Sequence, residues 1–160
     1  MALTQLFPYL LFLHVLGAIV AFGPTFAYSI MGVMAGREPQ HANFSARQTA
    51  AISTGLVYPL AAVQAITGLL LLISAPSDEF TVGWWLALGV ALYLVAYGFS
   101  LTVQRNALHR LIDLTATPPV PGTPPSPEIP STVRRIQRGG VFTGVLIVTI
   151  VFLMVIKPGT

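Results

Sequence analysis

The chain contains no cysteine, which excludes structural disulfides, thiolate metal sites and covalent attachment of a c-type haem. Charge is nearly as scarce. Only 8% of the 160 residues are Asp, Glu, Lys or Arg, against roughly 25% in a soluble domain. No charged residue falls in stretches 1–36, 48–77, 80–104 or 139–156. Each stretch reaches the ~18 apolar residues needed to cross a ~30 Å hydrocarbon core as a helix. A surface of that kind excludes a water-soluble globular domain. The first stretch lacks a basic leader and is much longer than the 7–15 residue core of a secretion signal. It is therefore expected to stay as a membrane helix.

What is present fits those exclusions. Hydrophobic residues make up 54% of the chain, and the mean hydropathy is +0.78. The pattern predicts an all-α, polytopic membrane protein: four transmembrane helices in an antiparallel bundle, forming a single domain over residues 1–160. The helices are expected at about 4–34, 46–73, 82–114 and 132–156. The linker 115–131 holds seven of the thirteen prolines. Proline removes a backbone donor and clashes with the preceding turn, so this linker is expected to be extended rather than helical.

The basic residues are distributed unevenly. Seven of the eight (Arg37, Arg47, Arg105, Arg110, Arg134, Arg135 and Arg138) lie in or beside the first and third connections, whereas the second carries only Asp78 and Glu79. By the positive-inside rule, connections one and three are cytoplasmic and both termini face outward. The high pI of about 9.7 thus has an orienting cause, and no nucleic-acid partner is expected. Arg134, Arg135 and Arg138 are placed to meet anionic headgroups. Trp84 and Trp85 would form an interfacial belt at the outer start of the third helix.

Small residues mark candidate packing faces. Gly17, Ala21, Thr25, Ser29, Gly32 and Gly36 recur on the first helix, and Gly140 and Gly144 form a GxxxG pair on the last. Such spacing lets helix backbones approach closely. Gly17, Ala21, Gly140 and Gly144 are therefore expected to face protein, either inside the bundle or across a homodimer or larger complex. Pro24 and Pro59 are expected to kink their helices.

His14 lies about ten residues into the first window, roughly 15 Å from its start at 1.5 Å per residue. Ionisable groups at that depth are rare and mark functional candidates. Gln64, Thr67 and Gly68 of the second helix and Tyr93 of the third fall at a similar level. Tyr93 belongs to a stripe of Trp85, Gly89, Tyr93, Tyr97, Ser100 and Gln104 expected to face inward. Two readings follow. His14 is an interhelical hydrogen-bonding group, with Gln64 or Tyr93 as partner, or it is an axial ligand to haem b, with Gln64 and Tyr93 lining the site. The other histidines, His41 and His109, sit at the opposite end, so a bis-histidine haem within one copy is not expected.

Leu13 to Ala18, followed by Phe22 and Gly23, resembles the opening of a group of small bacterial membrane proteins. The group includes copper-resistance D-like proteins, a membrane protoporphyrinogen-oxidase type and the uncharacterised family DUF2269. The ending Phe152 to Gly159 is most similar to the last. The resemblance implies a four-helix protein of the bacterial cytoplasmic membrane. For the oxidase type it implies a haem held by a histidine of an early helix, and for the copper-resistance type copper handling. Only His14 matches such a position. Ala21 stands where the group often has tryptophan, no charged set lies within the windows, and the four methionines form no cluster. Three functions are carried forward: haem-b binding through His14 in a redox or haem-handling role, a non-catalytic scaffold or accessory subunit, and a small transporter. Nothing in the sequence names a substrate or shows catalysis.

Overall fold

The computed structural model describes residues 3–74, 83–117, 124 and 126–159. Four long apolar helices dominate: α1 (Phe7–Arg37), α2 (Pro39–Ser74), α3 (Trp84–Leu114) and α4 (Glu128–Ile156). Asp78 and Glu79 of the second connection, and residues 118–123 and 125 of the proline-rich linker, lie outside the described residues. Each helix is long enough to cross a bilayer. Their outward surfaces are lined with exposed Leu, Ile, Val and Phe, including Phe12, Ile19, Ile30, Ile66, Leu94 and Val155. Water would disfavour so much exposed apolar surface, whereas lipid accommodates it. The protein is an integral membrane four-helix bundle.

The helices pack in antiparallel sequence, α1 against α2, α3 against α4, with α1 also touching α4. Few residues are fully buried, and most of those are small: Ala21, Ala46, Ser53, Ala61, Thr67, Gly89, Ala96, Ala107 and Gly139. In lipid, helices gain little from hiding apolar surface from one another, so close van der Waals approach and interhelical hydrogen bonds hold the bundle. The small buried residues supply that approach.

Two helices widen by a π-turn. In α2 the turn covers Ser53–Val57, immediately before Tyr58 and Pro59. Pro59 has no N–H for the carbonyl one turn earlier, and its ring needs space there. The wider turn provides that space. In α3 the π-turn covers Ser100–Gln104. The Tyr58 hydroxyl donates to the Ser100 carbonyl across the interface at 3.3 Å, so the irregular turns of α2 and α3 are joined by a side chain. Pro24, by contrast, lies inside one unbroken α-helical segment. Thr25 beside it donates back to the Phe22 carbonyl at 2.5 Å.

Three expectations need correction. First, α4 begins at Glu128, so residues 128–131 of the expected extended linker are helical. Pro130 falls in the first turn of that helix, where a missing N–H breaks no intrahelical bond. Secondly, a Cβ added at Gly140 or Gly144 would meet nothing within 4 Å, and the same is true of Gly32 and Gly36. Within one copy, the GxxxG pair is not the packed face of α4. That face instead runs through the buried Gly139, Ile147 and Leu153. Thirdly, the two neighbouring tryptophans are not equivalent. Trp84 is 61% exposed, whereas Trp85 is 2% exposed and is the largest fully buried side chain.

The basic end is tied together by polar contacts. Asn43 Nδ2 donates to the Ile112 carbonyl at 2.9 Å and to Thr115 Oγ1 at 3.2 Å. It therefore reaches a carbonyl in the last turn of α3, where helical N–H partners run out and where the Thr115 hydroxyl also lies at 3.4 Å. Arg110 pairs with Glu128 at 2.5 Å, joining the end of α3 to the start of α4. Both side chains are more than half exposed, so this pair contributes little stability.

Candidate functional site

His14 projects from α1 towards α2, where Nδ1 lies 2.9 Å from Thr67 Oγ1. The Thr67 hydroxyl is also 3.1 Å from the carbonyls of Val63 and Gln64. A hydroxyl has one proton. With that proton directed at the backbone, imidazole Nδ1–H is the donor to Thr67, and Nε2 carries the lone pair. Gly68 makes the approach possible: a Cβ there would stand 3.1 Å from His14 Cε1. The ring thus lies over the one residue in its path without a side chain. It is half-buried, between the fully buried Thr67 and the lipid-facing flank of α1.

One turn further along α1, Gln64 meets Gly17. A Cβ at Gly17 would stand 2.8 Å from Gln64 Oε1. Gln64 is 6% exposed, and its Oε1 has no hydrogen-bond partner among the described residues. Its carbonyl therefore lies against the Gly17 backbone, at an interface where a larger residue would push α1 and α2 apart. Ala21 continues the same face and is fully buried.

Tyr93 belongs to a different cluster. Its hydroxyl donates to the Ala61 carbonyl of α2 in a short hydrogen bond, and its ring stacks on Tyr97 at 6.1 Å. Tyr97 in turn donates to the Tyr58 carbonyl at 3.3 Å. Ser53 Oγ donates to Tyr28 Oη at 3.1 Å. Tyrosine hydroxyls thus join α2 to α1 and α3 at several levels. A small cavity of about 40 Å³ borders Tyr58, Tyr93, Tyr97 and Thr143. The structure therefore brings His14 and Gln64 to one interface, α1 against α2, and places Tyr93 on another, α2 against α3.

These positions bear directly on haem binding. Pockets that enclose small-molecule ligands span about 300–1,000 Å³. The cavity beside Tyr93 is an order of magnitude smaller, and His14 is not among its lining residues. Among the described residues, His14 does not line that cavity, and its partner Thr67 belongs to the interface of α1 with α2. Nor is there, among those residues, any group of three His, Asp or Glu side chains placed to hold a metal ion.

The family described as a predicted integral membrane protein, DUF2269, matches residues 8–158. The chain belongs to that family. The match runs from the first turn of α1 to the residue beyond Lys157, so the DUF2269 pattern includes the whole bundle and both connections at its basic end. No curated protein and no solved structure matches the chain.

Sequence reasoning placed Thr67 and Gly68 near His14 by counting depth, but did not identify Thr67 as its partner. The available signal was a hydroxyl and a glycine, adjacent in sequence and at the depth of the half-buried imidazole. Contact between Gln104 and Gly139 was also missed. Gln104 Nε2 donates to the Ile136 carbonyl at 3.2 Å, and its amide occupies the space where a Gly139 side chain would be. The pair Gly139–Gly140 carried the signal, but sequence alone does not say which glycine faces α3.

Proposed function

We propose that this DUF2269 chain is a non-catalytic scaffold or accessory subunit of the bacterial cytoplasmic membrane, with His14 serving as interhelical glue. The observation that carries the reading is the His14–Thr67 bond over Gly68. It uses the only deeply placed imidazole to join α1 to α2. The tyrosine bonds from α2 to α1 and α3 support the same reading, because they direct polar groups to backbone and side-chain partners between helices. Replacing His14 by alanine is then expected to cost about 1 kcal/mol. Thr67→Val should cost a similar amount, and the double variant should cost little more than either, because one interaction is removed in all three. Additive losses in a denaturant titration of the detergent-solubilised protein would sink the proposed pairing.

A second reading is haem b bound through His14 Nε2 at the outer flank of α1 or between copies. One observation favours it: a ligating histidine commonly donates its other ring N–H to an oxygen, as Nδ1 does here towards Thr67. An absorption spectrum of the purified membrane protein separates the two readings. The scaffold reading expects no Soret band. A Soret band that disappears in His14→Ala while the bundle stays folded would replace it with the haem reading.

The proposed orientation puts both termini outside and the basic end in the cytoplasm. It rests on seven arginines at one end of the bundle and the positive-inside bias. A reporter active only in the cytoplasm should be silent when fused after Thr160 and active when inserted within residues 121–125. The reverse pair of signals would invert the protein in the membrane.

A further inference from the structure

At the basic end an open cleft of about 480 Å³ lies between α3 and α4. One wall carries Arg134, Arg135 and Arg138 on the first turns of α4. The other is apolar and runs towards the membrane centre: Phe99, Val103 and Phe142. Phe99 and Phe142 meet edge to face with ring centroids 5.0 Å apart, which closes that end of the cleft with aromatic carbon. Gly139 forms part of the lining, and the Gln104 side chain packed against it brings α3 and α4 together there.

Among the described residues, nothing neutralises the charge in the cleft. Glu128 is the sole acid of α4, and it pairs with Arg110. Among the described residues no carboxylate forms an ion pair with Arg134, Arg135 or Arg138. Guanidinium groups bind phosphate oxygens in bidentate geometry. A cleft with cationic groups at its mouth and an aromatic wall below matches the two parts of a membrane lipid, a phosphate headgroup above an acyl chain.

We propose that this cleft is a binding site for one anionic diacyl phospholipid. The phosphate would sit among Arg134, Arg135 and Arg138, with an acyl chain along Phe99, Val103 and Phe142. A diffuse attraction to anionic lipid would use every arginine at that end alike. The cleft instead restricts the effect to those on α4. It is independent of any role for His14, which lies at a different level of the bundle.

The test uses the full chain in mixed phosphatidylcholine–phosphatidylglycerol nanodiscs, with co-purified lipid read by native mass spectrometry after extraction. Wild type should retain phosphatidylglycerol in preference to phosphatidylcholine. Arg134→Gln with Arg138→Gln should reduce that retention roughly twenty-five-fold, at about fivefold per basic group. Arg37→Gln with Arg47→Gln, at the same end but outside the cleft, should reduce it far less. Phe142→Ala should weaken retention of the diacyl lipid, because the acyl chain loses part of its aromatic wall. Melting in pure phosphatidylcholine checks that each variant is folded. Equal loss in the Arg37/Arg47 variant would reduce the effect to diffuse attraction and overturn the site. Displacement of the lipid by millimolar inorganic phosphate would show a free-anion site and overturn the lipid assignment, as would no preference for phosphatidylglycerol in wild type.

Discussion

Replacing Trp85 by alanine is expected to be among the most damaging single changes in this bundle, whereas the same change at Trp84 should be nearly silent. Trp85 is 2% exposed and its neighbour 61%. Successive residues on an α-helix differ by about 100° around its axis, which puts one indole inside the bundle and the other outside. The Lys157 ammonium lies 5.9 Å from the centre of the Trp85 ring, within reach of a cation–π contact. That contact draws the end of α4 to the start of α3. Lys157 adopts a left-handed backbone conformation, φ 46°, which ends α4, with its N–H still bonded to the Leu153 carbonyl. Removing a buried tryptophan in a water-soluble core costs about 3–5 kcal/mol. In lipid the transfer part shrinks, because the surroundings are as apolar as the core, while the lost packing remains. Trp85→Ala should therefore cost about 2–3 kcal/mol, and Trp84→Ala less than about 0.5 kcal/mol. Reversible unfolding in a mixed-micelle titration measures both. Equal losses would show that the start of α3 is rotated so that both indoles meet the bundle alike.

Gly139→Leu should destabilise the bundle by about 1–3 kcal/mol, the usual range for overpacking a close contact. Gly139 is buried, and the Gln104 side chain fills the space beside it. A leucine must displace that amide, break its bond to the Ile136 carbonyl and separate α3 from α4. Gly140→Leu and Gly144→Leu should stay within about 0.5 kcal/mol for the single copy, since nothing lies within 4 Å of a Cβ at either position. The same titration, with oligomeric state followed by cross-linking in the membrane, tests both points. If Gly140→Leu is the more damaging change, α4 is rotated by about one residue, or roughly 100°. A loss of cross-linked dimer without loss of monomer stability would instead assign the Gly140–Gly144 face to a second copy.

Trp85 and Gly139 also mark the limit of what the sequence reveals. The number of helices, their antiparallel order and their membrane location follow from composition, because a charge-free stretch of about 18 residues has few other stable states in a bilayer. The inward stripe of α3 was also legible. Trp85, Gly89, Tyr93, Tyr97, Ser100 and Gln104 keep a helical period, and their side chains are wholly or partly buried. The depth of His14 could be counted at about 1.5 Å per residue, which placed Thr67 and Gly68 at its level.

Rotation about each helix axis was not legible. In a water-soluble bundle the buried face is marked by apolar residues against a polar surface. Here leucine, valine and phenylalanine suit lipid and core alike, so that contrast disappears. Small residues were the remaining guide, and they occur on more than one face. Gly17 and Ala21 face protein, whereas Gly32, Gly36, Gly140 and Gly144 do not within one copy. Which oxygen meets His14 depends on the same rotation, because Gln64, Thr67 and Tyr93 lie near one depth but point to different neighbours. Composition and hydropathy by themselves determined a four-helix membrane protein, since length and missing charge act through the solvent. Only the tertiary structure assigned His14 to Thr67, Gln104 to Gly139 and the three arginines of α4 to one cleft, because those pairings depend on angles that an apolar environment does not write into the sequence.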